Sequence, residues 1–225
     1  SLYFCHLTYN NQKNMTITNV YTENYRIKLP NVLTDSTHGE MRSFELICVR
    51  IQDNLGNEGL GYTYTVGSGG VAIKKIIDID LKPILINEEE NLVENIWKKM
   101  WWHLHYIGRG GLPIFAISAI DIALWDLKCK KMNLPLWIAL GGCNSKVAAY
   151  AGGIDLQFSL DQLLFQTEQN LQKGFRAIKM KVGRKLFSED YERVSEVRKL
   201  LGPDIQLMID ANMGWSVDQA IRASN

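Results

Sequence analysis

The sequence lacks the features that would place the protein in a membrane. No apolar run reaches the roughly 20 residues that a helix needs to span a bilayer. The opening residues, SLYFCHL, are too short for the apolar core of a signal peptide and have no basic flank. We therefore expect a cytoplasmic protein with no membrane partner.

An excess of charge of one sign is also missing. The 25 lysines and arginines nearly balance the 24 aspartates and glutamates, which leaves a formal net charge of +1. Proteins that bind nucleic acids or anionic membranes carry strong basic patches. No nucleic-acid partner is expected.

Cysteines are few, and their spacing suits neither a metal site nor a disulfide framework. Cys5, Cys48, Cys129 and Cys143 include no CxxC pair. Without a signal peptide they indicate reduced thiols in a cytosolic protein.

The chain does have enough length and apolar content for a substantial core. It has 225 residues, of which 46% are hydrophobic and 22% charged, which is ordinary for a globular protein of one or two domains. Residues 1–14 are polar and aperiodic, and we predict that they form a disordered leader.

Residues 15–132 predict an α+β capping domain, with strands first and helices after them. Segments rich in β-branched and aromatic residues lie near 15–29, 43–53 and 59–65. Because short turns separate the later strands, an antiparallel meander is expected, with a loop over 30–42. Helical periodicity follows at about 71–84, 89–105 and 113–131.

Residues 133–225 alternate strands and helices, which indicates a parallel sheet. The strands begin near residues 147, 177 and 206, so the unit repeats about every thirty residues, as in a (β/α)8 TIM-type barrel. The helix between the second and third strands is predicted with Ser188 as its N-cap, and the helix after the third strand with Ser216. Three barrel units cannot bury both faces of their sheet. We therefore expect a longer polypeptide, truncated here after the third barrel strand.

Two lysines share one face of the predicted strand that contains AIKMKVG. Side chains two residues apart point the same way, so Lys179 and Lys181 lie together, opposite an apolar face. A KxK pair is most often a solvated edge. Here, helices on both sides make the strand an inner one, so the lysines point into the barrel, where its carboxyl-terminal mouth holds catalytic groups.

The next strand places Asp210 and Asn212 at the matching end. Two neighbouring ammonium groups repel each other, so the pKa of at least one lysine is expected to fall, which would allow a neutral amine to act as a general base. The other lysine can hold a substrate carboxylate. Asp210 is a hard oxygen ligand that suits Mg²⁺, and further ligands are expected from strands beyond residue 225.

These features together resemble the mandelate racemase/muconate lactonizing enzyme-like members of the enolase superfamily, and most of all the mandelate racemase group. The motifs that carry the resemblance are IFAISAIDIALWDLKCK, LPLWIALGG, AIKMKVG and IDANMGW, behind an α+β cap. The resemblance covers about residues 15–225.

The resemblance implies a shared half-reaction, in which a base removes the proton α to a carboxylate and Mg²⁺ stabilises the enediolate. Lys181 would be the base, and Lys179 would tune it and contact the carboxylate. Asp210 would be the first Mg²⁺ ligand, with Asn212 beside the site. A homo-oligomer and a small-molecule carboxylate substrate are also expected.

The cap of such enzymes supplies specificity loops, here expected as flexible segments over 33–42 and 62–70. His38 would contact substrate from the first, although a plain solvated histidine is an alternative. Tyr64 and Thr65 would contact substrate from the second. Their stretch, YTYTVG, resembles sugar-acid dehydratases of the galactarate/talarate type, so dehydration of a sugar acid is the expected reaction.

Other functions remain open from the residues alone. The opposing acid/base group would lie beyond residue 225, so racemisation and cycloisomerisation are not separated from dehydration. Either lysine could instead form a Schiff base in an aldolase-type barrel. The barrel could also bind a carboxylate without turnover.

Overall fold

The computed structural model describes residues 15–224, so the predicted leader lies outside the described residues. The described chain forms two compact units, each discontinuous in sequence. The first unit contains residues 15–27 and 45–143, and the second contains residues 28–44 and 144–224. The domain limit predicted between 132 and 133 stays a prediction.

Three strands form one sheet in the order β1-β2-β3. They are β1 Ile17–Asp35, β2 Gly39–Asp53 and β3 Glu58–Thr65. β2 and β3 are antiparallel, with Val49 opposite Gly61. The predicted antiparallel strands are therefore confirmed.

The helices of the first unit follow the strands, as the predicted α+β pattern requires. They are α1 Gly70–Lys75, a π-helical segment Ile76–Leu81, α2 Lys82–Leu85, α3 Val93–His103, α4 Leu112–Met132 and α5 Leu136–Ala139. Among residues 15–224, no helix combines the length and apolar character needed to cross a bilayer.

The core of the first unit forms where α4 packs on β3. Gly61 has no side chain, which lets the two elements approach closely, because a Cβ there would lie 2.0 Å from the carbonyl oxygen of Ala119. Ile47, Val49 and Ile120 are fully buried in the same cluster. Burial of such apolar side chains is the main stabilising contribution in this unit.

The second unit contains a parallel sheet in the order β4-β5-β6. Its elements in chain order are β4 Ala151–Gly152, α6 Leu160–Gln172, β5 Ala177–Lys181, α7 Phe187–Leu201, β6 Gln206–Asp210 and α8 Val217–Ser224. The predicted fold class, an α+β unit and the first strands of a parallel βα series, is confirmed.

The apolar face of β5 is buried as predicted. Ile178, Met180 and Val182 pack in one cluster with Leu163 of α6 and Val197 of α7. The opposite face of β5 therefore carries the two lysines.

The loop predicted over 30–42 is wrong, whereas the flexibility predicted for 33–42 stays a prediction. β1 continues to Asp35 and β2 begins at Gly39, so a tight turn joins two strands of a hairpin. The end of β1 finds a partner far away in sequence, since Thr34 N donates to Ile154 O (3.2 Å) and Leu156 N donates to Thr34 O (3.1 Å). Local sequence cannot show such a partner.

The second segment predicted to be flexible, 62–70, contains regular structure at both ends, and its flexibility stays a prediction. β3 extends to Thr65, and α1 begins at Gly70. The carboxylate of Glu45 accepts hydrogen bonds from Thr65 Oγ1 (3.0 Å) and Gly70 N (2.9 Å), which ties the short connection to β2.

The two predicted serine caps differ in outcome. Ser216 is confirmed, because Gln219 N donates to Ser216 Oγ (3.3 Å) at the start of α8. The prediction that Ser188 caps α7 is wrong, because the helix begins at Phe187 and has no side-chain cap. The carboxylate of Asp190, two residues further on, instead accepts from the loop before the helix.

Candidate active site

Parallel pairing brings the predicted lysine and aspartate side by side. Lys181 pairs with Asp210 in the register of β5 and β6. Lys181 Nζ lies 2.8 Å from Asp210 Oδ2 and also donates to Asn212 Oδ1. The Lys181 side chain is only 7% exposed. The structure therefore gathers these three predicted residues at the carboxyl ends of adjacent strands.

Lys179, two residues earlier on the same face of β5, contacts the same carboxylate. Its Nζ lies 3.2 Å from Asp210 Oδ2, and 5.3 Å from the centre of the Tyr150 ring. Burial would lower the pKa of Lys179, but the hydrogen bond and negative charge of Asp210 outweigh burial, so this pKa is raised.

Lys179 thus fits the lysine of the pair that was expected to stay charged. The expectation that at least one lysine pKa falls considered only the repulsion between two ammonium groups. It left out the carboxylate that both groups contact in the structure. Asp210 supplies the compensating charge to Lys179.

Asp210 is strongly acidic at this position. The hydrogen bond from Lys181 is the largest influence, and with the amide of Asn212 and the ammonium of Lys179 it outweighs burial. Together they lower the pKa of Asp210 to about 2. Asp210 Oδ1 accepts from Asn212 N at 3.0 Å. The carboxylate is therefore ionised throughout the physiological pH range.

The backbone after β6 turns sharply, and the β1–β2 hairpin holds it. Asn212 has a positive φ of 46°, a conformation that asparagine tolerates better than most residues. Ser36 Oγ donates to Ala211 O, and Thr37 Oγ1 donates to Asn212 O. Because the Asn212 side chain accepts a hydrogen bond from Lys181, the hairpin tip lies next to the cluster of Lys181 and Asp210.

His38 lies at this hairpin tip, in contact with an aspartate. Its Nδ1 is 2.8 Å from Asp35 Oδ2, and its side chain is about half exposed. Burial would raise the pKa of Asp35, but hydrogen bonds from His38 and the Thr37 amide outweigh burial and lower it. The structure thus places His38 in the unit that holds Lys181, and a role in substrate binding stays a prediction.

Tyr64 and Thr65 lie in the other unit, at the end of β3. The side chain of Tyr64 is exposed, and Thr65 donates to Glu45. Their predicted contact with substrate stays a prediction.

Asp210 fits Mg²⁺ as one ligand, because it is an ionised, partly exposed hard oxygen donor. Within residues 15–224, however, no three side chains among His, Cys, Asp and Glu cluster closely enough to hold a metal ion. The described residues therefore supply one carboxylate, that of Asp210, as a ligand suited to magnesium.

Three buried charged residues beside this cluster were missed in the sequence. Asp155, Asp190 and Arg193 are each 3% exposed or less. A signal was available, because Asp190 and Arg193 occupy the same buried stripe of α7 as Val197 and Leu201. Charged residues at core positions of an amphipathic helix are uncommon and need partners.

Two family models match the chain. The model described as the N-terminal domain of mandelate racemase and muconate lactonizing enzyme matches residues 15–141, more than half of the chain. The chain belongs to the mandelate racemase/muconate lactonizing enzyme family. A second model, described as enolase C-terminal domain-like, matches residues 162–225. The resemblance stated from the sequence motifs is confirmed.

One curated protein similar to this chain is 3,6-anhydro-alpha-L-galactonate cycloisomerase of Streptomyces coelicolor. It is 54% identical over 208 residues, which cover 92% of this chain and 58% of the relative. This chain of the mandelate racemase/muconate lactonizing enzyme family therefore spans less than two thirds of that relative's length.

Solved structures give the same family and the same fold. A racemase from Streptomyces coelicolor A3(2) with bound magnesium matches with a TM-score of 0.90 and 54% identity, covering 92% of this chain and 58% of that one. L-Talarate dehydratase from Polaromonas sp. JS666, complexed with Mg and L-glucarate, matches with a TM-score of 0.86 and 32% identity, covering 93% and 57%. Magnesium and a sugar-acid ligand are thus seen in homologous structures.

Proposed function

We propose that the chain belongs to an enzyme that removes the proton α to the carboxylate of a sugar acid, with Lys181 as the base. The observation that supports this most is the placement of Lys181. Its side-chain nitrogen Nζ is buried between Asp210 and Asn212 at the carboxyl ends of two parallel strands. In barrels of βα units this end of the sheet holds the reacting groups.

Each residue of the site has a separate role in the proposed reaction. Lys181, as the free amine, takes the proton from the carbon next to the carboxylate. Lys179, whose raised pKa keeps it charged, holds the substrate carboxylate by charge. Asp210 would hold a Mg²⁺ ion, which when bound supplies positive charge to stabilise the developing enediolate. Asn212 fixes the position of Lys181 through its side-chain oxygen.

Loss of the proton is followed by cleavage of the carbon–oxygen bond at the β carbon. If the leaving oxygen is a hydroxyl group, it departs as water after taking up a proton, and the reaction is a dehydration. If it belongs to an ether ring, the ring opens, the oxygen takes up a proton, and no atoms are lost. The enol product of either reaction then becomes a 2-keto acid.

Ring opening of a 3,6-anhydro sugar acid is the first candidate. In such a compound the ring oxygen is bonded to carbon 3, which is β to the carboxylate. The 54% identity to 3,6-anhydro-alpha-L-galactonate cycloisomerase over 92% of this chain supports it. Dehydration of an open-chain sugar acid is the second candidate, supported by the similarity to L-talarate dehydratase.

Exchange of the α-proton in D₂O tests the proposal. The full-length protein with Mg²⁺ should incorporate deuterium at carbon 2 of 3,6-anhydro-L-galactonate, and Lys181→Met should abolish this exchange. EDTA should stop it, and added Mg²⁺ should restore it. Unchanged exchange in Lys181→Met would remove Lys181 from its role, and a borohydride-trapped adduct would indicate a Schiff base instead.

Product mass separates the two candidates. Cycloisomerisation gives a product of the same mass as the substrate, whereas dehydration of galactarate or L-talarate gives one lighter by one water. A panel of both substrate classes, followed by mass spectrometry, decides between them.

The predicted homo-oligomer belongs to this proposal as well. Sedimentation velocity of the full-length protein measures it directly. A monomer at micromolar concentration would contradict it.

A further inference from the structure

The strand on one side of Lys181 ends too early to pair with it. β4 stops at Gly152, which is paired with Lys179. The last bond of this ladder runs from Gly153 N to Lys179 O, at 3.1 Å. The main-chain N–H and C=O of Lys181 that point to this edge therefore need other partners, since unpaired buried backbone groups are costly.

Two side chains take the place of the missing strand. Lys181 N donates to Asp155 Oδ1 at 2.9 Å, and Arg193 Nη1 donates to Lys181 O at 2.8 Å. Asp155 is 1% exposed and Arg193 is 3% exposed. Charged groups make stronger hydrogen bonds than a neutral strand partner would make.

The two side chains are themselves held in place. Arg193 Nη2 donates to Asp155 O at 2.9 Å, and the Gln166 amide donates to Asp155 Oδ2 at 2.7 Å. Arg193 Nη1 also lies 3.6 Å from Asp190 Oδ1. These contacts lock the loop after β4 to helices α6 and α7.

Asp190 extends this arrangement to the residues after Lys181. Its Oδ2 accepts hydrogen bonds from Gly183 N at 2.7 Å and Arg184 N at 2.9 Å. The main chain is thus fixed at Lys181 and again two and three residues later, where Gly183 has a positive φ of 105°.

Stability alone is a poor account of three buried charges at this position. Burial of ionised groups costs free energy, and well-packed apolar residues of similar size are often as stable or more stable. What these charges do achieve is to fix the backbone of Lys181, while Asp210 and Asn212 hold its other end.

We propose that Arg193, together with Asp155, is a positioning residue for Lys181. It fixes the main chain of the lysine so that Nζ is aimed at the α-proton of the substrate. This inference rests on the proposed function, in which Lys181 is the base.

The test compares Arg193→Gln with a matched arginine on the same helix. Arg198 Nη1 also donates to two main-chain carbonyl oxygens, those of Gly202 and Ile205, both at 2.8 Å, but it does not contact Lys181. Loss of thermal stability is expected in both Arg193→Gln and Arg198→Gln. Only the first should impair catalysis.

The expected kinetic result is a fall in kcat with little change in KM. A displaced base costs on the order of 100-fold in kcat, while substrate contacts that hold KM within about threefold are unaffected. Arg193→Lys should fall between wild type and Arg193→Gln, because one ammonium group cannot reach both carbonyl oxygens. Equal losses of kcat in Arg193→Gln and Arg198→Gln, or none in either, would overturn the proposal.

Hydrogen exchange provides a measurement that needs no substrate. In Arg193→Gln the amide of Lys181 should exchange faster than in wild type, whereas in Arg198→Gln it should not. The exchange measurement tests the contact between Arg193 and Lys181 separately from the role of Lys181 as the base. A fully active Lys181→Met variant would contradict that role, but it would not alter the exchange rates expected for Arg193→Gln and Arg198→Gln. Equal protection of the Lys181 amide in all three proteins would end the positioning role.

A second variant covers the case in which Arg193→Gln does not fold. Asp155→Asn keeps an oxygen that can accept from Lys181 N but removes the charge paired with Arg193. A fall in kcat of about tenfold at constant KM is expected, because a neutral acceptor bonds more weakly. An unchanged kcat in a folded Asp155→Asn protein would count against the proposal.

Discussion

Lys181 and Asp210 occupy paired positions on adjacent parallel strands, and their charged atoms Nζ and Oδ2 are 2.8 Å apart. The same Oδ2 atom is 3.2 Å from Nζ of Lys179. One carboxylate therefore compensates two ammonium groups in a partly buried site. Several measurable properties of the protein depend on this arrangement.

Stability at acid pH should depend on Asp210. Its pKa is lowered from 3.8 to about 2, so its contribution is complete above about pH 4 and is lost as pH falls through about 2. The contribution is on the order of 1–2 kcal/mol, because the side chain is 31% exposed and solvent screens it. Urea unfolding between pH 2 and pH 5 measures it.

Asp210→Asn should flatten this part of the stability profile. Asp204→Asn, which neutralises an exposed carboxylate before β6, serves as the matched control and should keep the wild-type slope. An unchanged slope in Asp210→Asn would contradict the prediction.

Removal of Lys179 should make Asp210 less acidic. In Lys179→Met one of the two ammonium groups that stabilise the carboxylate is lost, so the pKa of Asp210 should rise from about 2 towards its ordinary value. Carboxyl ¹³C NMR titration measures this shift. Lys173→Met, at an exposed position after α6, should leave the pKa of Asp210 unchanged, and equal values in all three proteins would show that Lys179 has no influence.

The hairpin tip should stabilise the end of β6. Ser36→Ala and Thr37→Val each remove a hydroxyl that donates to a main-chain carbonyl, of Ala211 and Asn212 respectively. Each should lower the free energy of unfolding by about 1 kcal/mol. Ser224→Ala removes a hydroxyl bonded only within α8 and should cost less. Equal effects in urea unfolding would argue against a specific role of the hairpin.

Close packing of β3 on α4 should make Gly61 intolerant of any side chain. In Gly61→Ala the new Cβ would lie 2.0 Å from Ala119 O, so strand or helix must move. The free energy of unfolding should fall by about 3 kcal/mol or more. Gly110→Ala adds a Cβ with no atom within 4 Å and should change stability by less than about 0.5 kcal/mol. Thermal melts of both variants decide the matter.

The alternation of side chains on β5 made most of the candidate site predictable. A period of two residues separates Lys179 and Lys181 from the apolar residues between them, and the βα repeat of about thirty residues puts Asp210 on the next strand. These regularities are local or periodic, so they can be read from one sequence. The structure confirms that Lys181, Asp210 and Asn212 come together.

The features that escaped prediction depend on distant or combined partners. The end of β1 pairs with residues on both sides of Asp155, more than a hundred residues away, so its sequence alone indicated a loop. The raised pKa of Lys179 was not predicted, because it depends on a carboxylate from another strand. Arg193 was missed, although its position on the buried stripe of α7 marked it as unusual.

Because residues 28–44 belong to the second unit, the two units cannot be separated by a single cut in the chain. A fragment cloned from residue 144 onward would omit Ser36 and Thr37, leaving the carbonyls of Ala211 and Asn212 without their donors. The excised amino-terminal fragment would keep a hairpin whose tip had lost its bonding partners. Expression of the second unit on its own therefore requires residues 28–44 to be joined through a linker to the segment that begins at residue 144.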